Sequence, residues 1–250
     1  MRNYERILII KDGFQEFYKR EKYVPYVLDL MVVFALLLLF VYPLLYGIFK
    51  SFYVDGTISL GNYHRLFSDQ NFWNALKVTF KYVFIYTSGI MIVGFISALA
   101  IDAADERQLP GAKIFSSFLT IPYAIPDVVG ALIWLWMMNP RLGVLNYLLS
   151  FIGIKGVNWL TSSELALISV ILVEIWRLFT MHTLIILASF KTVPKDLYEA
   201  AELEGATMLQ QFFYITLPSV ANIIRFLLLL TIVWSFKRFT ILWLLTSGGP

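Results

Sequence analysis

Residues 191–218 read KTVPKDLYEAAELEGATMLQQFFYITLP, a polar stretch set between two strongly apolar segments. The spacing predicts two short helices around one glycine. Pro194 fits a first helical position, where its missing N–H costs nothing, and Thr192 offers a cap before it. Leu197, Ala200 and Ala201 fall at i, i+3 and i+4 and give the first helix one small apolar face. Gly205 supplies the left-handed residue that ends it. Thr207 with Gln210 forms a capping-box pattern for the second helix, and Pro218 marks the start of the next apolar run. A polar segment this organised, between two long apolar runs, implies a docking element rather than a plain connection.

The flanking segments decide the class. The chain is 59% hydrophobic and 15% charged, with a mean hydropathy of +0.72. Soluble domains carry about 45–50% apolar and about 25% charged residues, so a membrane protein is expected. Five runs reach the ~20 apolar residues that a bilayer core demands: 27–49, 78–103, 114–138, 165–190 and 219–245. Each is expected to be a helix, since a lone span in lipid must satisfy its own backbone hydrogen bonds. With no cysteine there is neither a disulfide framework nor thiolate chemistry. A net charge of +3 does not point to nucleic acid. The polar first residues give no sign of a cleaved signal peptide.

Basic residues set the orientation. Arg2, Arg6, Lys11, Lys19, Arg20 and Lys22 precede the first span, which places the N-terminus in the cytoplasm. Counting spans then puts 102–113 and 191–218 in the cytoplasm, with 50–77 and 139–164 outside. Within residues 1–25, Ile7, Ile10, Phe14, Phe17 and Tyr18 recur at helical spacing, as in a helix lying in the inner interface; a disordered basic tail is the alternative. Residues 26–250 form the membrane domain. Gly94 and Ala98 allow a neighbouring helix to approach closely.

The stretch 191–218 resembles the EAA loop of ABC-importer permeases, in which Glu-Ala-Ala and Gly-Ala precede a Phe-x-x-Ile-x-Leu-Pro end. Here the matching residues are Glu199, Ala200, Ala201, Gly205, Ala206, Phe212, Ile215, Leu217 and Pro218. Glu204 stands where the family usually has Asp, which keeps the charge. The carbohydrate permeases related to the maltose permease are the most similar subgroup. Gly61-Asn62-Tyr63, residues 121–126 (IPYAIP), Asn139-Pro140 with Gly143 and Asn146, Trp176, and residues 246–250 (TSGGP) add to the resemblance, which runs from about Pro25 onward.

The resemblance implies an all-α membrane protein with the type I importer permease fold and a six-helix core. Five of the six spans lie in this sequence; the chain stops at Pro250 within a family motif, as a truncated chain would. It also implies a separate machine for energy. No G-x-x-x-x-G-K-[ST] loop occurs, so no enzymatic activity and no cofactor are expected on this chain. ATP and Mg would sit on two partner ATPase subunits. A second, related permease chain and an extracytoplasmic solute-binding protein complete the expected partners, in the cell membrane of a prokaryote. Glu199 and Gly205 take the sensitive docking roles, with Ala200, Ala201 and Ala206 beside them.

Ionisable groups inside spans cost about 2.5–3.5 kcal/mol at the bilayer centre on insertion scales, and so mark function. Asp127, Glu174, Arg177, His182, Lys237 and Arg238 qualify. Glu174 and Arg177, three apart, are expected to pair on one face. The resemblance places a sugar path at Glu174, Arg177, Leu178, Met181, Thr231, Trp234, Ser235 and Arg238. The last span's set follows i, i+3, i+4, i+7 spacing, one helical face with an aromatic plate beside hydroxyl and charged donors. An ion-pair network that only holds helices together is the structural alternative. Two other functional readings stand beside the sugar importer. Arg177, Lys237 and Arg238 would neutralise glycerol phosphate or another anion. Alternatively, Glu174 and Arg177 would relay ions in a secondary carrier. The two histidines, His64 and His182, are separated by a span, so no metal site is expected. Pro122, Pro126 and Pro218 are the expected bending points.

Overall fold

A computed structural model describes residues 23–54, 56–110, 112–154 and 156–249. Ile7, Ile10, Phe14, Phe17 and Tyr18 of the expected interfacial helix lie outside the described residues. The chain divides into two compact units, residues 1–74 and 75–250.

In the first unit, helix α1 (Tyr23–Ser51) carries no charged residue between Asp29 and Lys50 and buries none of its described side chains. Its surface is therefore suited to lipid or to another protein. A two-residue hairpin follows, β1 (Tyr53–Val54) pairing antiparallel with β2 (Thr57–Ile58). Helix α2 (Gly61–Ser68) is tied back by Asn62, whose amide donates to the carbonyls of Ser51 at 3.1 Å and Tyr53 at 3.2 Å. Tyr63 and Ser51 share a hydroxyl bond of 2.7 Å. The Gly-Asn-Tyr sequence thus has a local structural reason.

The second unit is built on helices packed around one central span. Helix α3 (Gln70–Glu106) enters it and rises for about 55 Å at 1.5 Å per residue. Then come α4 (Ala112–Ala124), α5 (Asp127–Met137) and the short α6 (Val144–Ser150). Helix α7 (Ala166–Phe190) is the most enclosed span. The polar stretch gives α8 (Lys195–Leu203); α9 (Met208–Ser235) and α10 (Thr240–Thr246) close the described chain. Three apolar clusters fill the space between them. One joins Tyr82, Val83, Tyr86 and Ile90 of α3 to Ile171 and Leu178 of α7. A second joins Ala98, Ile186, Phe190, Val193, Val220 and Leu227. A third joins Ala131, Met138, Val170, Val173, Ile241 and Leu245.

Four of the expected spans are long apolar helices. The third, 114–138, is not one helix: its two halves meet at 100°. Pro126 causes the break. It has no N–H to continue the ladder, and it holds an extended backbone at φ −57°, ψ 146° directly before α5. Pro122 sits inside α4 and Pro218 inside the continuous α9, and neither breaks its helix. Pro218 is preceded by a wide π turn, Phe212–Thr216, and Pro43 of α1 by another, Leu37–Val41. A proline ring clashes with the carbonyl four residues earlier. For these two prolines that carbonyl belongs to Tyr214 and Leu39, inside the widened turns, which make the room. The expected fifth span, 219–245, is also divided. It ends as a regular helix at Ser235 and resumes as α10 after residues 236–239.

Gly94 fulfils its expected role. A Cβ there would stand 2.7 Å from the Cβ of His182, so α3 and α7 cross with no room for a side chain. Ala98, one turn on, is fully buried.

Candidate functional site

Two regions carry chemistry that packing alone does not explain. The first is a buried cluster of charge in the middle of the second unit. Helix α7 contributes Glu174, 1% exposed, and Arg177, 6% exposed. They do not pair with each other as their spacing suggests. Arg177 Nη1 lies 2.8 Å from Asp127 Oδ1, in the first turn of α5. Glu174 Oε2 instead faces Arg238 Nη1 at 3.8 Å. The reason is topological: the break at Pro126 brings Asp127 to α7, and the end of α9 at Ser235 lets Arg238 turn inward. Arg238 thus reaches the cluster from the turn after the helix, not from the helical face that its spacing implied.

Two tyrosines of α3 complete the cluster and were not singled out in the sequence. Tyr82 and Tyr86 are stacked, with centroids 5.4 Å apart and planes within 3°. Both are buried, at 3% and 2% exposure. A tyrosine pair at i and i+4 on the buried side of a long span was the available signal. Three buried polar atoms here have no hydrogen-bond partner among the described residues: Glu174 Oε2, Arg177 Nε and Tyr82 Oη. Such atoms each cost about 1–3 kcal/mol when left unpaired.

The other expected path residues divide. Thr231 and Ser235 are buried on one face of α9. Thr231 Oγ1 is 2.8 Å from His182 Nε2 and 2.7 Å from the Leu227 carbonyl, which ties α7 to α9. His182 is thereby a packed, hydrogen-bonded residue. Ser235 bonds its own helix, at the Ile232 carbonyl. Trp234 and Met181 are half-buried. Leu178 packs in the apolar cluster with Tyr82 and Tyr86. Trp176 meets Trp134 edge to face, 5.4 Å between centroids, and so braces α7 against α5.

The second region is the polar stretch. Helix α8 ends on Gly205 at φ +78°, where the Ala206 N–H bonds the Ala201 carbonyl at 2.9 Å and Gly205 N–H bonds Glu202 at 3.0 Å. A non-glycine residue resists that left-handed backbone. The capping box at α9 is formed: Thr207 N–H donates to Gln210 Oε1 at 2.7 Å, and Gln210 N–H to Thr207 Oγ1 at 3.4 Å. Two details differ from expectation. Pro194 is the residue before the helix, not its first member, and Thr192 donates to the Ser189 carbonyl at 2.7 Å and so finishes α7. The second short helix is also not separate. It is the first turn of α9, continuous through the wide turn into the span.

Helix α8 stands open. Glu199, Ala200, Asp196 and Glu202 are exposed, and Leu203 is 91% exposed. Only Tyr198 and Ala201 of α8 are half-buried. On the small apolar face, Leu197 and Ala200 are exposed and Ala201 is half-buried, while Tyr198 reaches the spans. Met208 and Leu209 are exposed beside it. An acidic knob with uncovered apolar side chains, fixed at both ends by turn chemistry, is a surface built for contact.

Comparison with known proteins fits this geometry. Residues 90–250 match the family described as binding-protein-dependent transport system inner membrane component. The chain is 31% identical over 238 residues to the trehalose/maltose transport system permease protein MalF of Thermococcus litoralis, across 92% of this chain and 79% of that protein. It is 27% identical over 240 residues to the sn-glycerol-3-phosphate transport system permease protein UgpA of Escherichia coli, across 92% of this chain and 79% of the relative. A crystal structure of a bacterial ABC transporter importing the acidic polysaccharide alginate superposes with a TM-score of 0.75 at 25% identity. That match spans 87% of this chain and 75% of the other. The helical membrane fold, the broken third span and the exposed polar helix are thus found on a chain that belongs to the family of binding-protein-dependent transport system inner membrane components.

Proposed function

We propose that this chain is a permease subunit of an ATP-driven importer that passes a carbohydrate from an extracytoplasmic binding protein to the cytoplasm. The observation that carries the reading is the exposed helix α8, held out by the Gly205 turn and the capping box on a chain of this family. Its Asp196, Glu199, Glu202 and Glu204 suit a groove with basic edges, and Leu203 and Met208 suit an apolar floor. Such a groove belongs on an ATPase subunit. ATP and Mg bind there, on two such subunits, and this chain holds no cofactor. Glu199 makes the polar contact; Ala200, Ala201 and Ala206 keep the helix slim; Gly205 sets its exit. The six basic residues before the first span support a cytoplasmic N-terminus, and with the bent α4–α5 pair taken as one crossing they support α8 on the same side, where ATP is. A second, related permease chain completes the pore.

The buried cluster is the solute contact. A sugar hydroxyl both donates and accepts, and so answers Glu174 Oε2, Arg177 Nε and Tyr82 Oη together. Trp234 offers a stacking face at the end of α9, beside Thr231, Ser235 and Arg238, while Leu178 and Met181 shape the α7 side. ATP binding draws the two ATPase subunits together, α8 moves with them, and the spans open alternately to each side. The sugar named for the Thermococcus litoralis relative supports this solute class. An anionic solute is the second reading, favoured by the glycerol-phosphate relative. Against it, the guanidiniums of Arg177 and Arg238 each face a carboxylate, so the cluster has no surplus positive charge.

The test is uptake by the assembled importer in proteoliposomes. Glu199→Lys or Gly205→Pro abolishes uptake while the protein still inserts. Trp234→Ala or Arg238→Ala impairs uptake with ATPase assembly intact. Normal uptake by the first pair refutes the docking role, and by the second pair the solute path. Dependence on a proton gradient instead of ATP refutes the importer itself.

A further inference from the structure

The polar stretch is tied to the spans at two points that its docking motif does not include. At one end Lys191, just past α7, places Nζ 2.6 Å from Asp102 Oδ1 and 3.9 Å from Asp105 Oδ2, in the last turns of α3. At the other, Tyr198 turns inward from α8. Its hydroxyl lies 2.8 Å from Thr216 Oγ1, the last residue of the wide turn in α9, and its ring packs against the cluster of Ala98, Ile186, Phe190, Val193, Val220 and Leu227.

Helix α8 has little else to hold it. It is about 13 Å long at 1.5 Å per residue, and every one of its residues except Tyr198 and Ala201 is exposed. A lever joined only through its backbone would swivel between residues 191–194 and Gly205, and a push on it would be lost. Two further attachments limit that freedom: Tyr198 ties α8 itself to α9, and Lys191 ties the base of its hinge to α3. Neither contact serves the docking face, since both point toward the spans.

We infer that Tyr198–Thr216 and Lys191–Asp102 form a two-point brace through which a displacement of α8 moves α9 and α3 together. Tyr198, Thr216, Lys191 and Asp102 are then positioning residues for transport. The inference rests on the reading of α8 as the ATPase-docking helix. The tyrosine arm carries more of the load, because Thr216 is buried, whereas the Lys191 side chain is half exposed and its ion pair is screened by water.

The experiment measures solute transported per ATP hydrolysed, in proteoliposomes holding the importer assembled with its ATPase subunits. Tyr198→Phe and Thr216→Val each delete one hydroxyl and keep the shape. Each lowers the ratio about two- to tenfold, the range one such hydrogen bond spans, and the double variant loses no more than either alone. ATP hydrolysis continues, since the exposed face of α8 is unaltered. Lys191→Met lowers the ratio by a smaller factor, and Lys191→Arg restores it. An unchanged ratio in both hydroxyl variants overturns the brace. So do losses that multiply in the double variant, or a parallel fall of transport and hydrolysis with a lowered melting temperature. A Glu199→Cys crosslink to the ATPase subunit separates the two ideas. If it forms and the ratio is unmoved, the brace alone fails; if it never forms, the docking reading fails and the brace with it.

Discussion

Replacing Arg177 with methionine puts the buried charge cluster to a quantitative test. The guanidinium is almost sealed from solvent, 2.8 Å from Asp127, while Glu174 one turn away is 1% exposed. Methionine fills much of the same volume but leaves both carboxylates short of a cation. Removing one partner of a buried pair costs about 3–5 kcal/mol, more than replacing the pair entirely. The carboxylates are unequal. Asp127 has a side chain 39% exposed and recovers solvation, so most of the cost falls on Glu174, whose remaining cation, Arg238, stands 3.8 Å away. Arg177→Met is therefore expected to destabilise by about 3–4 kcal/mol. Asp127→Asn strands the buried guanidinium in turn, but the amide oxygen still accepts from Arg177, so it costs less than Arg177→Met. Adding Glu174→Gln to Arg177→Met recovers about half the loss, because it removes the charge left stranded. The assay is unfolding of the purified chain in detergent, followed by tryptophan fluorescence. Equal melting of wild type and Arg177→Met refutes the reasoning, as does a double variant less stable than Arg177→Met alone.

Two further outcomes follow from other contacts. Gly94→Leu is expected to separate α3 from α7, since even a Cβ meets the His182 Cβ at 2.7 Å; loss of folded protein on size-exclusion chromatography checks it, with Gly94→Ala as the milder case. The hydrogen bond that the Lys191 ammonium donates to Asp102 holds it above its ordinary pKa, with Asp105 and Glu106 adding to it. The folded state therefore binds this proton more tightly. Its contribution is whole below the ordinary lysine value and disappears as pH rises through the higher folded one. Wild type should converge on Lys191→Met in melting temperature as pH rises above the ordinary lysine value of about 10.4, and parallel curves would refute the pairing.

Much of this molecule is legible without coordinates, for reasons of range. Apolar runs of bilayer length name the spans, because a helix satisfies its own backbone within one segment. The turn at Gly205 and the Thr207–Gln210 capping box are equally local: each is complete within a few residues, so the sequence pattern specifies it. The small-residue contact at Gly94 and Ala98 is legible because only small side chains permit that approach. The consequences of the prolines were only partly legible. Three prolines invite a bend, yet only Pro126 breaks its span; Pro218 is absorbed by a widened turn, which depends on how neighbouring helices pack.

What the amino-acid order determined by itself is the membrane class, the number of apolar runs and the polar knob with its turns. Partner choice in the interior was decided by the tertiary structure alone. Glu174 and Arg177 have ideal spacing for each other, worth about 0.2–0.5 kcal/mol on a helix surface. Burial raises the stakes well above that, and the break at Pro126 and the end of α9 bring Asp127 and Arg238 from distant positions in the chain to meet them. Tyr82 and Tyr86 join for the same reason, and so does Tyr198 at Thr216. Local spacing specifies what a few residues can satisfy among themselves; a buried charge takes whichever counter-charge the packing of whole helices delivers.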